Sequence, residues 1–137
     1  PNKFNSGRFA ANAPVWPALP APSGWTVIGQ DSAGEFTIRV WAREKGLGDQ
    51  VATGWVADRY QTYRNGSNKG LVWDTAWEKE SDAREFVELI SRSFIGSSRQ
   101  GGQNSEKWAG GSYSRNGNSV RLILNLPTPA SSGGVDY

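Results

Sequence analysis

Apolar positions along this chain change period several times, and each change marks an element. Between Ser32 and Lys45, Ala33, Phe36, Val40 and Trp41 recur at helical spacing. Ser32 with Glu35 three residues on has the form of a capping box, Asp31 suits the helix dipole, and Lys45-Gly46 carry stop signals. A second short helical turn is expected over Asp49 to Thr53. From Asp58 to Arg64 the period falls to two, with Tyr60 and Thr62 on one face and Arg59, Gln61 and Tyr63 on the other. Asn65-Gly66 predicts a turn, and Leu71 to Trp77 returns as a strand with Leu71, Trp73, Thr75 and Trp77 on one face.

The helical period resumes after Glu78 to Asp82. Ala83, Phe86, Val87, Ile90 and Phe94 form one stripe, while Glu80/Arg84 and Glu88/Arg92 are i,i+4 pairs suited to the opposite face. Gly96 to Ser105 is rich in Gly, Ser, Gln and Asn and reads as a mobile loop. A second hairpin is expected, with Lys107 to Arg115 outgoing, a type I′ turn at Asn116-Gly117, and Ser119 to Leu126 returning. Gly110-Gly111 weakens the outgoing strand and suggests a bulge. Gly24 to Gly29 holds a short apolar strand or linker, Trp25-Thr26-Val27-Ile28. The predicted fold is α+β: two antiparallel β-hairpins forming a four-stranded sheet, with helices packed on one face. The expected divisions are an extended Pro-rich arm at 1–23, an α+β domain at 24–126 and a tail at 127–137.

In the arm, Pro14, Pro17, Pro20 and Pro22 favour extended or polyproline II backbone. Phe4, Phe9, Val15, Trp16 and Leu19 are scattered along it. Left in water these side chains would stay exposed, so the arm is expected to lie on a surface. The domain has few apolar residues to spare, which makes a partner subunit the expected surface and these five residues the candidate partner contacts.

Composition removes whole classes of chemistry. The chain has no His, Cys or Met but seven Trp. Ser–His and Cys–His nucleophile pairs are excluded, and a metal site or other cofactor built from this chain is not expected. The 15 basic and 13 acidic residues give a net charge of +2 and are interspersed, so no nucleic-acid footprint is indicated. No run of 18 apolar residues is present, so no transmembrane segment is expected. A chain without Met is expected to derive from a longer precursor, which points to an extracytoplasmic location.

Candidate chemistry is sparse. Glu35, Asp58, Asp74 and Glu78 are the carboxylates beside aromatic or apolar residues. Simpler roles suit each: a helix cap for Glu35, element boundaries for Asp58 and Glu78, and for Asp74 either solvation or a pair with Arg59. Asp58, Arg59, Tyr60, Trp73, Trp77 and Phe86 are therefore read as structural, and no catalytic residue is assigned. Trp108 and Tyr113, set among Gly, Ser and Asn, are candidates for carbohydrate binding, because indole and phenol rings stack on sugar faces.

One stretch carries a resemblance. Gly34-Glu35-Phe36, Gly54-Trp55, Asp58-Arg59-Tyr60, Leu71-Val72-Trp73, Thr75, Trp77 and Asp82-Ala83-Arg84-Glu85-Phe86 stand in an order and spacing that resembles the C-terminal region of exported bacterial and archaeal zinc metallopeptidase-like proteins. The likeness covers Asp31 to Phe94. The H-E-x-x-H helix of that family is absent, and with no His no catalytic residue carries over. The resemblance implies a non-catalytic C-terminal portion, retained after processing or reused as an accessory subunit. The leading expectation is a non-catalytic interaction or scaffolding domain of a larger exported assembly with a protein partner. The alternatives are a carbohydrate- or cell-surface-binding module, and the C-terminal part of a metallopeptidase-like precursor whose active site lies upstream.

Overall fold

The computed structural model describes Trp16, residues 19–96 and residues 104–127. Among the described residues six strands form one antiparallel sheet: β1 (Thr26–Asp31), β2 (Trp55–Asn65), β3 (Asn68–Trp77), β4 (Ser105–Trp108), β5 (Gly111–Asn116) and β6 (Ser119–Leu124), in the spatial order β1-β2-β3-β6-β5-β4. Three helices, α1 (Gly34–Glu44), α2 (Gln50–Thr53) and α3 (Glu80–Ile90), supply the other layer. Among the described residues no helix is long and apolar enough to cross a membrane. The tail beyond Pro127, the loop segment 97–103, and Phe4, Phe9 and Val15 of the arm lie outside the described residues.

The expected four-stranded sheet is corrected to six, for two local reasons. The Trp25–Ile28 segment is not a linker: it enters β1 and pairs with β2, Thr26 opposite Arg64 and Gln30 opposite Gln61. The outgoing strand expected over Lys107 to Arg115 is itself folded into a hairpin. Trp108 stands opposite Gly111, with Ala109-Gly110 as the turn. A side chain at Gly111 would run into the Ile123 carbonyl and the Trp108 ring, so the glycine that looked like a weak point in a strand is what lets two strands close. The last turn also differs. Its central residues are Gly117-Asn118, between the paired Asn116 and Ser119, and of the two only Gly117 has positive φ, which matches type II′ rather than I′.

The core lies between the helices and one sheet face. Trp73, Trp77, Val120, Leu122 and Tyr113 from the sheet meet Ile38, Ala42, Val51, Ala52, Ala83, Phe86, Val87, Leu89 and Ile90 from the helices. The expected meeting of Trp73, Trp77, Phe86 and Ile90 is present. Phe86 sits edge-on to Trp73 at 5.7 Å and against Trp77 at 5.1 Å, while Trp41 stacks on Trp73 at 5.9 Å. Edge and offset contacts of this kind add to the burial of area.

The α1 stripe is shifted from expectation. Ile38, Trp41 and Ala42 face the core, while Phe36 is 75% exposed and Val40 lies on the surface. Both sets have helical spacing, and the sequence carries two overlapping stripes. Contact with α2 and β2 selects the one at Ile38. In α3 the expected face is buried, and the Glu80–Arg84 and Glu88–Arg92 pairs form on the exposed side. The helix then widens over Ser91–Ile95 into i→i−5 bonding, Gly96 N–H to the Ser91 carbonyl, which carries Phe94 onto Trp108 at 5.7 Å.

Replacing Trp73 by Ala should cost about 3–5 kcal/mol in urea unfolding, since it opens a cavity between Trp41 and Phe86. A loss below about 1 kcal/mol would remove that ring from the core. Glu85, on α3, has its carboxyl pushed above the usual range by burial first, then by Asp82 and Glu88. The folded chain therefore binds the proton more tightly than the unfolded chain, and this group's contribution falls as pH rises through the window between the two pKa values. Glu85→Gln should raise the melting temperature near pH 7 and change nothing near about pH 3.5, where both states are protonated. Equal shifts at both pH values would assign the effect to packing instead of charge.

Candidate functional site

The two faces of the sheet carry opposite chemistry, because residues alternate across it. On the helix side one carboxylate organises the layer. Asp58 on β2 accepts hydrogen bonds from the Ser32 hydroxyl (3.0 Å), the Ala33 and Gly34 amides (2.7 and 2.8 Å), and the indole N–H groups of Trp55 (3.0 Å) and Trp73 (2.9 Å). The capping box expected from Ser32 and Glu35 does not form. Glu35 instead pairs with Arg39 one turn on, and α1 begins without a cap from its own side chains. Its orphan amides are satisfied from a strand 24 residues away. Asp58 and Arg59 are therefore not a pair: adjacent on β2, they point to opposite faces.

On the other face Arg59, Asp74 and Arg121 stand directly opposite one another on β2, β3 and β6. Arg121 grips Asp74 with two bonds, Nε at 2.6 Å and Nη2 at 3.0 Å, and Arg59 adds one at 2.8 Å. Asp74 is 3% exposed, so it is paired with Arg59 as expected but is not solvated. Two cations on one buried carboxylate offset the cost of taking that charge out of water. Beside them Gln61 donates to the Tyr63 hydroxyl at 3.2 Å. Burial raises the Tyr63 phenol above its ordinary value, and the nearby Arg121 and Arg59 pull the other way.

Two described arm residues lie on this face. Arg59 donates to the Trp16 carbonyl at 3.1 Å and its guanidinium stands 5.6 Å from the Trp16 ring centre, while Gln61 donates to the Leu19 carbonyl at 3.2 Å. Trp16 and Leu19, expected on a partner, thus touch their own sheet.

At the end of the sheet where the β2–β3 turn, the β4–β5 turn and the exit from β6 meet, an open groove of about 770 Å³ is present, and Trp25 and Trp108 stand in its wall. Of the two candidate sugar contacts, Trp108 reaches this groove, whereas Tyr113 is buried in the helix-side core at 2% exposure and is not a surface platform. Trp25, Lys69 and Lys107 were missed as groove residues, because nothing in the local sequence brings three distant turns together.

Asp58 with its five donors, the Arg–Asp–Arg ladder and the groove are all carried by one antiparallel sheet with helices on a single face. The chain belongs to the DUF8575 family, a domain of unknown function whose sequence model matches residues 25–136. No curated protein and no solved structure matches it. Nothing in the family match links the chain to metallopeptidase-like proteins, and several residues of the expected motif make contacts with one another. Asp58 receives Gly34, Trp55 and Trp73, and a side chain at Gly54 would collide with Asp82, whose carboxylate accepts the Lys79 amide at the start of α3.

Asp58→Asn should destabilise the chain by about 2–4 kcal/mol, because an amide NH₂ would face N–H donors that need an acceptor. Urea unfolding measures it, and a change under about 0.5 kcal/mol would show that the five donors do not depend on the charge.

Proposed function

We propose that this chain is a non-catalytic interaction domain of a larger exported assembly, and that its helix-free sheet face receives extended, proline-rich polypeptide. The observation that carries this reading is the seating of Trp16 and Leu19. The sheet holds both through main-chain carbonyls, with one aromatic ring against a guanidinium. Polyproline II backbone makes no internal hydrogen bonds, so its carbonyls must find donors elsewhere. Arg59 and Gln61 supply them from fixed positions, Arg59 being held by Asp74. Recognition of this kind reads backbone conformation and one ring, and suits a segment from the same chain or from a partner. The buried ionic groups support a non-catalytic role: Asp58 is saturated by helix and indole donors, and Asp74 is committed to two arginines.

A labelled peptide of residues 10–23, added in trans, tests the reading. Trp16→Ala in the full chain weakens the resident segment, so this variant should bind the peptide more tightly than the unaltered chain does, read by fluorescence anisotropy. Adding Arg59→Lys keeps the charge beside Asp74 but loses the planar fork, and should weaken peptide binding about tenfold. Equal binding by the single and double variants would remove Arg59 from recognition.

A further inference from the structure

The groove at the end of the sheet gathers hydrogen-bond donors: two lysines and two tryptophans line it, beside Ser67, Ser112 and two asparagines. Lys69 on β3 and Lys107 on β4 both line it and are exposed, and among the described residues neither has an ion-pair partner. Among the described residues no carboxylate lines the groove wall. The tryptophans give an independent indication. Trp41, Trp55, Trp73 and Trp77 each donate their indole N–H to Ser93, Asp58, Asp58 and Thr75. The indole N–H groups of Trp25 and Trp108 have no acceptor among the described residues, and both residues line the groove. Trp108 is held there by stacking on Phe94 with an interplanar angle of 11°. Asn68 and Asn125 add amide groups at the rim.

We infer that this groove is a binding site for an anionic sugar, the acidic group being a carboxylate or a sulfate. The two ammonium groups meet the anion. The indoles offer an apolar face for the ring C–H groups and N–H donors for ring hydroxyls, and the asparagine amides offer both donor and acceptor. An acidic peptide would meet the lysines with its carboxylates and the indole N–H groups with its carbonyls, but it has no ring C–H face to lay against the indoles, and that contact is what favours the sugar. The inference does not rest on the arm: neither Arg59 nor Trp16 lines the groove.

The experiment titrates the full chain with four probes, followed by tryptophan fluorescence and calorimetry: an oligogalacturonate, a chondroitin sulfate oligosaccharide, a neutral dextran oligosaccharide and a short polyglutamate. At least one of the two anionic sugars should bind saturably and about tenfold or more tighter than both the neutral sugar and polyglutamate. Which of the two binds identifies the anion. Lys69→Gln with Lys107→Gln should weaken that binding about tenfold, with the melting temperature unchanged because both side chains are exposed. Trp25→Ala should weaken it as well. No saturable binding to either anionic sugar would overturn the inference. Equal binding of polyglutamate would reduce the site to a patch of positive charge, and equal binding of the neutral sugar would remove the lysines from recognition. In either case the peptide result for the sheet face would stand unchanged.

Discussion

The Asp58 carboxylate is the constraint on which the layer arrangement depends. It is 6% exposed and holds groups from three places: the N-terminus of α1, Trp55 at the start of β2, and Trp73 in the middle of β3. The α1 amides could be capped by water if the helix stood free. Packed on the sheet they cannot all be, and an unsatisfied buried amide costs as much as a lost hydrogen bond. A single anion that accepts from amides and indoles together sets where α1 starts and how the Trp73 ring is turned. That orientation in turn presents the ring to Trp41 and Phe86. Helix placement and core packing are thus coupled through one side chain.

The opposite face solves a different problem. A sheet with helices on one side exposes its other side, and an apolar surface there would invite association. This chain fills the middle of that face with Arg59, Asp74 and Arg121, each opposite the next. Their mutual pairing lets the face be buried without stranding a charge. It also leaves the outer edge of the Arg59 guanidinium and the Gln61 amide directed at main-chain carbonyls. The proposed recognition of an extended chain rests on this ladder, whose donors suit carbonyls that an extended segment leaves free.

The elements that were legible are the locally encoded ones. The β2–β3 hairpin and the α3 stripe follow from period and turn residues within a short window. What was not legible depends on distant partners. The α1 start looked like a capping box because Ser32 and Glu35 have the right spacing, yet Asp58 outcompetes them as acceptor and Glu35 is free to meet Arg39. Two overlapping apolar stripes on α1 could not be ranked without knowing what α1 packs against. The β4–β5 split was hidden because Gly110-Gly111 reads equally as a bulge or a turn; the close approach of the Ile123 carbonyl decides it. Of the two residues singled out by a Gly- and Ser-rich setting, Trp108 lines the groove. Tyr113 shared that setting but stands opposite Leu122, on the helix side.

The disposition of hydrogen-bond donors separates structure from binding in this molecule. With 15 basic and 13 acidic residues the chain has a small surplus of cations. Inside, the ionic groups are matched: two arginines on Asp74, and Arg115 on Glu80 at 2.8 Å, tying β5 to the start of α3. Four indole N–H groups in the core are matched as well. Among the described residues the buried polar side-chain atoms left without a hydrogen-bond partner are the Ser91 hydroxyl and the Arg115 Nε, so the interior draws on almost all its donors and has no structural use for a concentration of them elsewhere. Two lysines and two indoles without acceptors among the described residues, gathered from three turns into one groove, are a local excess of donors. Such an excess costs little in water, but a ligand that brings acceptors in the same arrangement gains all of them at once. The turns that form the groove are fixed by the register of the strands behind them, so the arrangement exists before any ligand arrives. Preorganisation of that kind lowers the entropy lost on binding.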